Sequence, residues 1–449
     1  MKKVVFFILF FLPFYQQILL ASTTRQDSLG GQGRYIIDDS NLWFFPSFIT
    51  EYGNYFILEL ESTDGGTNSD TLPPQSATFG GIVISPVTSF YLGLFLSNYK
   101  DSYVSTALTE SGGIDFLQQA GVTDTILLFP DGETTTSDRK YDLVLGYAKG
   151  ALSFGITFGY GSSFYEATLS GADPQTPYEP GKYKLSTIKV QPGVSFEIND
   201  NLKVDGSFIF ANHGLTNSPR GVDLIDSGGG SSYMLILRAR YRLLERFSII
   251  PAISFSGSGL DYKINYKVSE GDNTVQSQDQ DYRLEGKYSD NLFDIGIGSV
   301  YSGIEKVYLF STLGVSFFNL SSSYLTNIQQ DTKDGSSKVL PYFKLGVEGE
   351  LFPWLIVRGG VVKFVTSSVT NSEVKTNDPN TNTRSDVKRG TSTNILDNTF
   401  SYTLGMAIQK GGFVLDFELN PAFLYTGPYY LSGVSYNIFM KASLTYRFK

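Results

Sequence analysis

The feature that most constrains this chain is an alternation with period two between large apolar residues and very small ones. From Ala151 to Tyr160, the side chains of Leu152, Phe154, Ile156, Phe158 and Tyr160 fall on one face of an extended backbone, and Ser153, Gly155, Thr157 and Gly159 fall on the other. Phe400, Tyr402, Leu404, Met406 and Ile408 repeat the pattern. Phe343 to Leu351 repeats it again, with Lys344, Glu348 and Glu350 on the second face. Large rings on one side and charges on the other imply a sheet with lipid outside and a wet interior. A soluble sandwich alternates too, but over shorter strands and with its charges turned outward.

Turn spacing supports the same architecture, because membrane barrels join strands by tight turns at one end and long loops at the other. Tight connections fall at Pro86-Val87, Lys149-Gly150, Asn199 to Asn201, Leu243 to Glu245, Gly303-Ile304, Phe352-Pro353 and Gly411-Gly412. Between them run the polar stretches Asn98 to Arg139, Ser162 to Tyr183, Ser258 to Asn291 and Thr366 to Asn394. Counting from a strand near Tyr52 to Glu61, through a short one at Ala77 to Ile84, to a last one at Tyr436 to Phe448, the expectation is a closed antiparallel transmembrane β-barrel. It has about 16 strands, or about 14, with both termini periplasmic. The last strand carries an unbroken apolar face, Tyr436, Ile438, Met440, Ala442, Leu444, Tyr446 and Phe448, and resembles the C-terminal signal read by the barrel assembly machinery, apart from the added Lys449.

Composition then excludes classes. With no cysteine and one histidine, disulfide frameworks, thiolate chemistry and most zinc sites drop out, and no metal or cofactor is expected. A net charge of -9 disfavours nucleic acid and suggests acidic outer loops. Met1 to Lys3 and the apolar run Val4 to Phe14 read as a leader, residues 1–21, cleaved near Ala21, which directs Sec-dependent export to a bacterial outer membrane of the Gram-negative type. Residues 22–50 precede the barrel, which occupies 51–449.

The segment Thr23 to Thr50 has no period of two and is not wall. Its Gly31-Gln32-Gly33, Asp38-Asp39, Asn41 and Pro46-Ser47-Phe48-Ile49-Thr50 resemble the amino-terminal hatch of the FadL/TodX family of outer-membrane transporters for long-chain fatty acids and other hydrophobic compounds, although Phe45-Pro46-Ser47 stands where that family has Asn-Pro-Ala. The resemblance implies a wall of about 14 strands, a plug in the lumen, and passage of an apolar ligand from an outer groove through the wall into the membrane. Glycine and aspartate steps are also ordinary turn chemistry, so a plain periplasmic lead-in is the other reading.

Within the barrel, Leu235, Leu237, Ala239 and Tyr241 define a lipid face, which turns Arg238, Arg240 and Arg242 inward. On the first strand Phe56, Leu58 and Leu60 face lipid, and Glu59 and Glu61 face inward as possible partners. The ladder reads either as a carboxylate site or as a salt-bridge lattice bracing the plug, with Asp38 and Asp39 meeting the arginines. His213, between Asn212 and Gly214, reads as a solvated loop tip without a nucleophile beside it, so no enzyme is expected. Asp131 with Glu133 and Asp279 with Asp281 read as solvating loop carboxylates rather than calcium ligands. Pro192-Gly193 and Pro251 interrupt wall strands, as a bulge or as a lateral gap. In the outer segment Ile114 to Pro130, Phe116, Leu127 and Phe129 offer an apolar groove. The expected function is a monomeric transport barrel that admits fatty-acid-like hydrophobic molecules, in contact with outer-membrane lipid. The alternatives are a surface or secretion-associated barrel and a general porin.

Overall fold

The computed structural model describes residues 23–62, 76–97, 132–169, 181–218, 226–267, 281–325, 329–377, 384–385, 391–421, 423 and 438–448. The leader, Glu61's side chain and the groove residues Phe116, Leu127 and Phe129 lie outside the described residues. Strands follow the chain as β1 (Tyr55–Ser62), β2 (Ser76–Val87), β3 (Phe90–Ser97), β4 (Gly132–Lys149), β5 (Leu152–Leu169), β6 (Gly181–Asn199), β7 (Leu202–Ser218) and β8 (Asp226–Leu244). They continue as β9 (Phe247–Lys267), β10 (Asp281–Ile304), β11 (Val307–Leu325), β12 (Gln329–Phe352), β13 (Leu355–Asn377), β14 (Arg384–Ser385), β15 (Thr391–Lys410), β16 (Phe413–Leu419) and β17 (Phe439–Arg447).

Neighbours in sequence pair antiparallel, and β1 pairs with both β2 and β17, so the sheet closes on itself and leaves no edge. The two-residue β14 only flanks β13, which pairs directly with β15. Among the described residues the wall therefore has sixteen strands, as the turn spacing suggests and two more than the FadL/TodX resemblance implies. No helix among the described residues is long and apolar enough to cross a membrane.

The period of two sorts the side chains as expected. Phe154, Phe158, Tyr160, Leu235, Leu237, Phe400 and Leu404 are exposed on the outside, whereas Thr157, Arg238 and Ala407 are buried inside. An outer girdle of exposed Leu, Ile, Phe and Tyr around a closed sheet is the surface that hydrocarbon requires. Tight turns join β4 to β5, β6 to β7 and β15 to β16 at Gly150, Asp200 and Gly411, where the sequence signals them. The polar stretches are a correction, because Ser162 to Leu169, Ser258 to Lys267, Asp281 to Asn291 and Thr366 to Asn377 belong to strands, not loops. Backbone pairing continues beyond the apolar band with Ser, Thr and Asn on the ladder, so hydrophobic periodicity marks only the part of each strand that meets lipid.

Residues 23–52 fold inside the ring as a helix (Thr23–Ser28), three short 3-10 turns (Gly33–Tyr35, Asp39–Trp43, Pro46–Phe48) and a last helical turn (Ile49–Tyr52). Their apolar side chains Leu42, Phe45, Phe48, Ile49 and Tyr52 form one buried cluster with Tyr55, Ile57, Val83, Phe95, Val144 and Ile236 of the wall. Entry to the wall is closely fitted. Pro46 lies over Gly155 and Gly193, where an added Cβ would stand 2.2 Å from Pro46 C and 2.7 Å from its Cδ. Only glycine leaves the room for that backbone to come so near.

Candidate functional site

The lumen is held together by charge. Arg25 forks onto Glu348 (Nε to Oε2 2.8 Å, Nη2 to Oε1 3.1 Å) and reaches Asp38 at 3.1 Å. Glu348 also takes Arg358, which donates in turn to Asp416. Asp38 accepts further from Gln26 at 3.0 Å and from Ser40. Farther round the wall, Arg34 pairs with Asp294, and the Tyr35 hydroxyl sits 2.9 Å from that of Tyr342. Part of the acidity expected in the loops thus lies inside: Asp142, Asp205, Asp294, Glu348 and Asp416 are all buried in the lumen.

Two members of the arginine ladder meet the amino-terminal segment, with partners other than those expected. Arg238, fully buried, donates to Asp205 (2.9 Å), to the Arg34 carbonyl (2.8 Å) and to Asn41 Oδ1 (2.5 Å), and lies over the rings of Phe45 and Phe48 at 4.3 and 4.8 Å. Arg240 bridges Glu51 (3.1 Å) and Asp205 (2.9 Å), and Lys203 also pairs with Glu51. Despite burial, which pushes its pKa up, the Arg240 and Lys203 charges hold the Glu51 carboxyl below the usual carboxylate range. Asp38 goes to Arg25 within its own segment, and Asp39 is buried beside Leu42, Trp43 and Tyr55. Arg242 is exposed at the rim. Glu59 does face inward, but serves Thr23, Thr24 and Lys441 instead of the ladder. The expectation failed because a ladder's inward direction follows from parity, whereas its partners depend on how an irregular segment stacks.

Above this floor is a cavity of about 480 Å³, within the range of small-molecule sites. One side is apolar: Trp43, Phe79 and Phe95 meet edge-on and stacked, with centroids 4.9 to 5.8 Å apart, and Ile209 and Met234 continue the surface. The other side carries Lys140 and Lys189 with Asp142 between them, at 3.8 and 3.1 Å. Sequence reasoning missed these residues. The inward parity of Lys189 and Gln191 on β6 was the available signal.

The cavity abuts a defect in the wall. The β6–β7 ladder stops at Val190 opposite Phe210 and resumes at Gly193 opposite Ser207, in unchanged register, so Pro192 leaves a gap of two rungs in that one ladder and not a bulge. Gln191 and Pro192 stay paired with Thr157 and Ile156 of β5, and Ser207 Oγ donates to the Pro192 carbonyl at 3.3 Å across the gap. The β8–β9 ladder skips likewise between Arg238–Ala252 and Tyr241–Ile249, at Pro251. Of the residues at the first gap, Gln191 and Ile209 line the cavity, and Phe208 is exposed on the outer face. Gln191 donates to the carbonyls of Trp43 (2.9 Å) and Phe44 (3.1 Å) and contacts Ser207 Oγ at 3.2 Å, tying segment and wall at the gap.

His213 is a second correction. It stands on β7, inward and 4 % exposed, with Nδ1 2.9 Å from Thr187 Oγ1 and Nε2 2.9 Å from Ser232 Oγ. It shares parity with Asp205, Ser207 and Ala211, a signal outweighed in the sequence by its turn-like neighbours Asn212 and Gly214.

Fold and lumen together define a closed sixteen-stranded barrel whose interior is occupied by the chain's own amino-terminal segment. Among solved structures it is similar to the toluene transporter TodX of Pseudomonas putida (11% identity over 94% of this chain and 97% of that chain, TM-score 0.39). It is similar also to the toluene transporter TbuX of Ralstonia pickettii (12%, 78% and 96%, 0.35) and to the ferric yersiniabactin uptake receptor FyuA of Yersinia pestis (8%, 82% and 68%, 0.40). At TM-scores this low the likenesses carry no argument about what this chain does. No protein-family model and no curated protein sequence matches the chain.

Proposed function

We propose that this chain is a bacterial outer-membrane transporter that admits hydrophobic small molecules into a plugged barrel and releases them sideways into the membrane. The observation that carries the reading is the junction of cavity and gap: Gln191 and Ile209 belong to both, and lipid-facing Phe208 is their neighbour across the sheet. A rigid pore has no use for an apolar chamber ending at a break in its ladder, where proline withholds a main-chain donor and the Ser207 hydroxyl reaches the Pro192 carbonyl instead. A passing apolar ligand gains from such a chamber. The aromatic side suits a hydrocarbon body, and the opposite side, where Lys140 and Lys189 share Asp142 and Asp27, Glu59 and Lys441 complete the lining, suits a polar head, so a fatty-acid-like amphiphile is the class of ligand.

The test fills the gap from inside. Ile209→Trp should abolish decanoate uptake by vesicles with a lipopolysaccharide outer leaflet, while the barrel still inserts and resists heat. Uptake at the wild-type rate would rule out this exit.

A further inference from the structure

The gap between β6 and β7 is framed on both sides by side-chain straps that cross the same three strands. Toward the tight turns, Ser195 on β6 donates to Asp205 on β7 at 2.7 Å, and Arg238 on β8 donates to Asp205 at 2.9 Å. Ser195 stands opposite Asp205 in the ladder, three rungs below the gap. Toward the far rim, Thr187 on β6 stands opposite His213 on β7, four rungs above it, and the imidazole joins Thr187 to Ser232 on β8. At about 3.3 Å per rung, the upper strap lies about 13 Å from the gap. The lower strap is ionic and shared with the amino-terminal segment through Arg238. The upper one is neutral and belongs to the wall alone.

We propose that the Thr187–His213–Ser232 strap is a specificity device: it sets how far β6 and β7 part above the gap, and so limits the girth of what passes. The inference rests on the lateral exit proposed above. Imidazole suits this task because its two nitrogens point in divergent directions and one ring spans three strands, donating through one nitrogen and accepting through the other. All three side chains are buried (Thr187 1 %, His213 4 %, Ser232 0 % exposed), so water does not compete for these bonds in the closed wall. They sit on the inward rows that continue into the cavity, Thr187 above Lys189 and Gln191, and His213 above Ala211 and Ile209. A ligand leaving the cavity thus meets a stretch of wall that lacks its β6–β7 ladder pairs at Gln191 and Pro192 and is braced by side chains on either side of them.

Two probes of similar polarity and different girth test this, slim decanoate and bulky adamantanecarboxylate, supplied to vesicles with a lipopolysaccharide outer leaflet. His213→Ala removes both hydrogen bonds of the strap and should raise the bulky-to-slim uptake ratio by about fivefold or more, the factor that about 1 kcal/mol for even one of them gives. His213→Gln, whose amide also donates and accepts, should restore most of the wild-type ratio. If His213→Ala fails to insert, Thr187→Val removes one hydroxyl at nearly constant shape and should move the ratio in the same direction. An unchanged ratio, or equal change for both probes, would overturn the strap as a selector while Ile209→Trp still blocks uptake. If Ile209→Trp blocks nothing, the exit itself is wrong and the selector falls with it.

Discussion

Replacing Glu51 by Gln tests how the amino-terminal segment is latched. The carboxylate is the segment's ionic contact with both Arg240 and Lys203, beside the Phe48 ring on which the Arg240 guanidinium also lies at 4.6 Å. Breaking a buried ion pair costs about 3–5 kcal/mol, but three features lower that figure here. The Glu51 side chain is 21% exposed, Arg240 keeps Asp205 at 2.9 Å, and Lys203, 22% exposed, regains water. A loss of about 1–2 kcal/mol remains, which multiplies the undocked population by about 5 to 30. Planar-bilayer recordings should show openings more frequent by that factor, and Glu51→Gln with Arg240→Ala should be less than additive. The same carboxylate gives a pH dependence. Its docked-state pKa lies below the ordinary value, so its contribution is fully present above about pH 4.3 and is lost as pH falls through the lower docked value. Acid should therefore open the wild type, and Glu51→Gln should open at all pH values without that transition. Conductance indifferent to both the substitution and acid would refute the latch.

Two other outcomes follow. Gly155→Ala drives a Cβ into the Pro46 carbonyl carbon, an overpacking of about 1–3 kcal/mol that should expose residues 23–52 to added protease while the barrel stays heat-resistant. Leu235→Arg on the outer face should cost about 2–4 kcal/mol near mid-membrane, read as a lower urea midpoint for folding into vesicles, whereas the same change at exposed Leu244 beside a tight turn should cost about 1 or less.

The wall was legible in the sequence because lipid imposes one rule on every strand: Phe154, Leu235 and Phe400 face out, and the parity that places them turns Arg238 and Glu348 in. The segment before Tyr55 was legible as non-wall for the same reason, by lacking the period. What could not be read were relations between irregular backbone and sheet. The pairing of Arg25 with Glu348, 323 residues away, leaves no local trace. Nor does the use of Glu51 in place of Asp39, since the four carboxylates Asp27, Asp38, Asp39 and Glu51 in one short segment look alike until packing orients them. His213 and the polar strand ends were misread because small polar neighbours mean a turn in water and a paired strand beside a sheet.

The helix Thr23–Ser28 touches both sides of the seam where the ring closes. Thr24 binds Glu59 of β1 at 3.1 Å, and Asp27 binds Lys441 of β17 at 2.9 Å, across strands paired from Tyr55–Arg447 to Glu61–Lys441. The segment is therefore also a clasp: residues 23–28 hold the first wall strand to the last. Anything that pulls the helix away withdraws its polar links to both Glu59 and Lys441 from the junction of the first and last wall strands, so undocking of the segment and loosening of that seam draw on a common free energy.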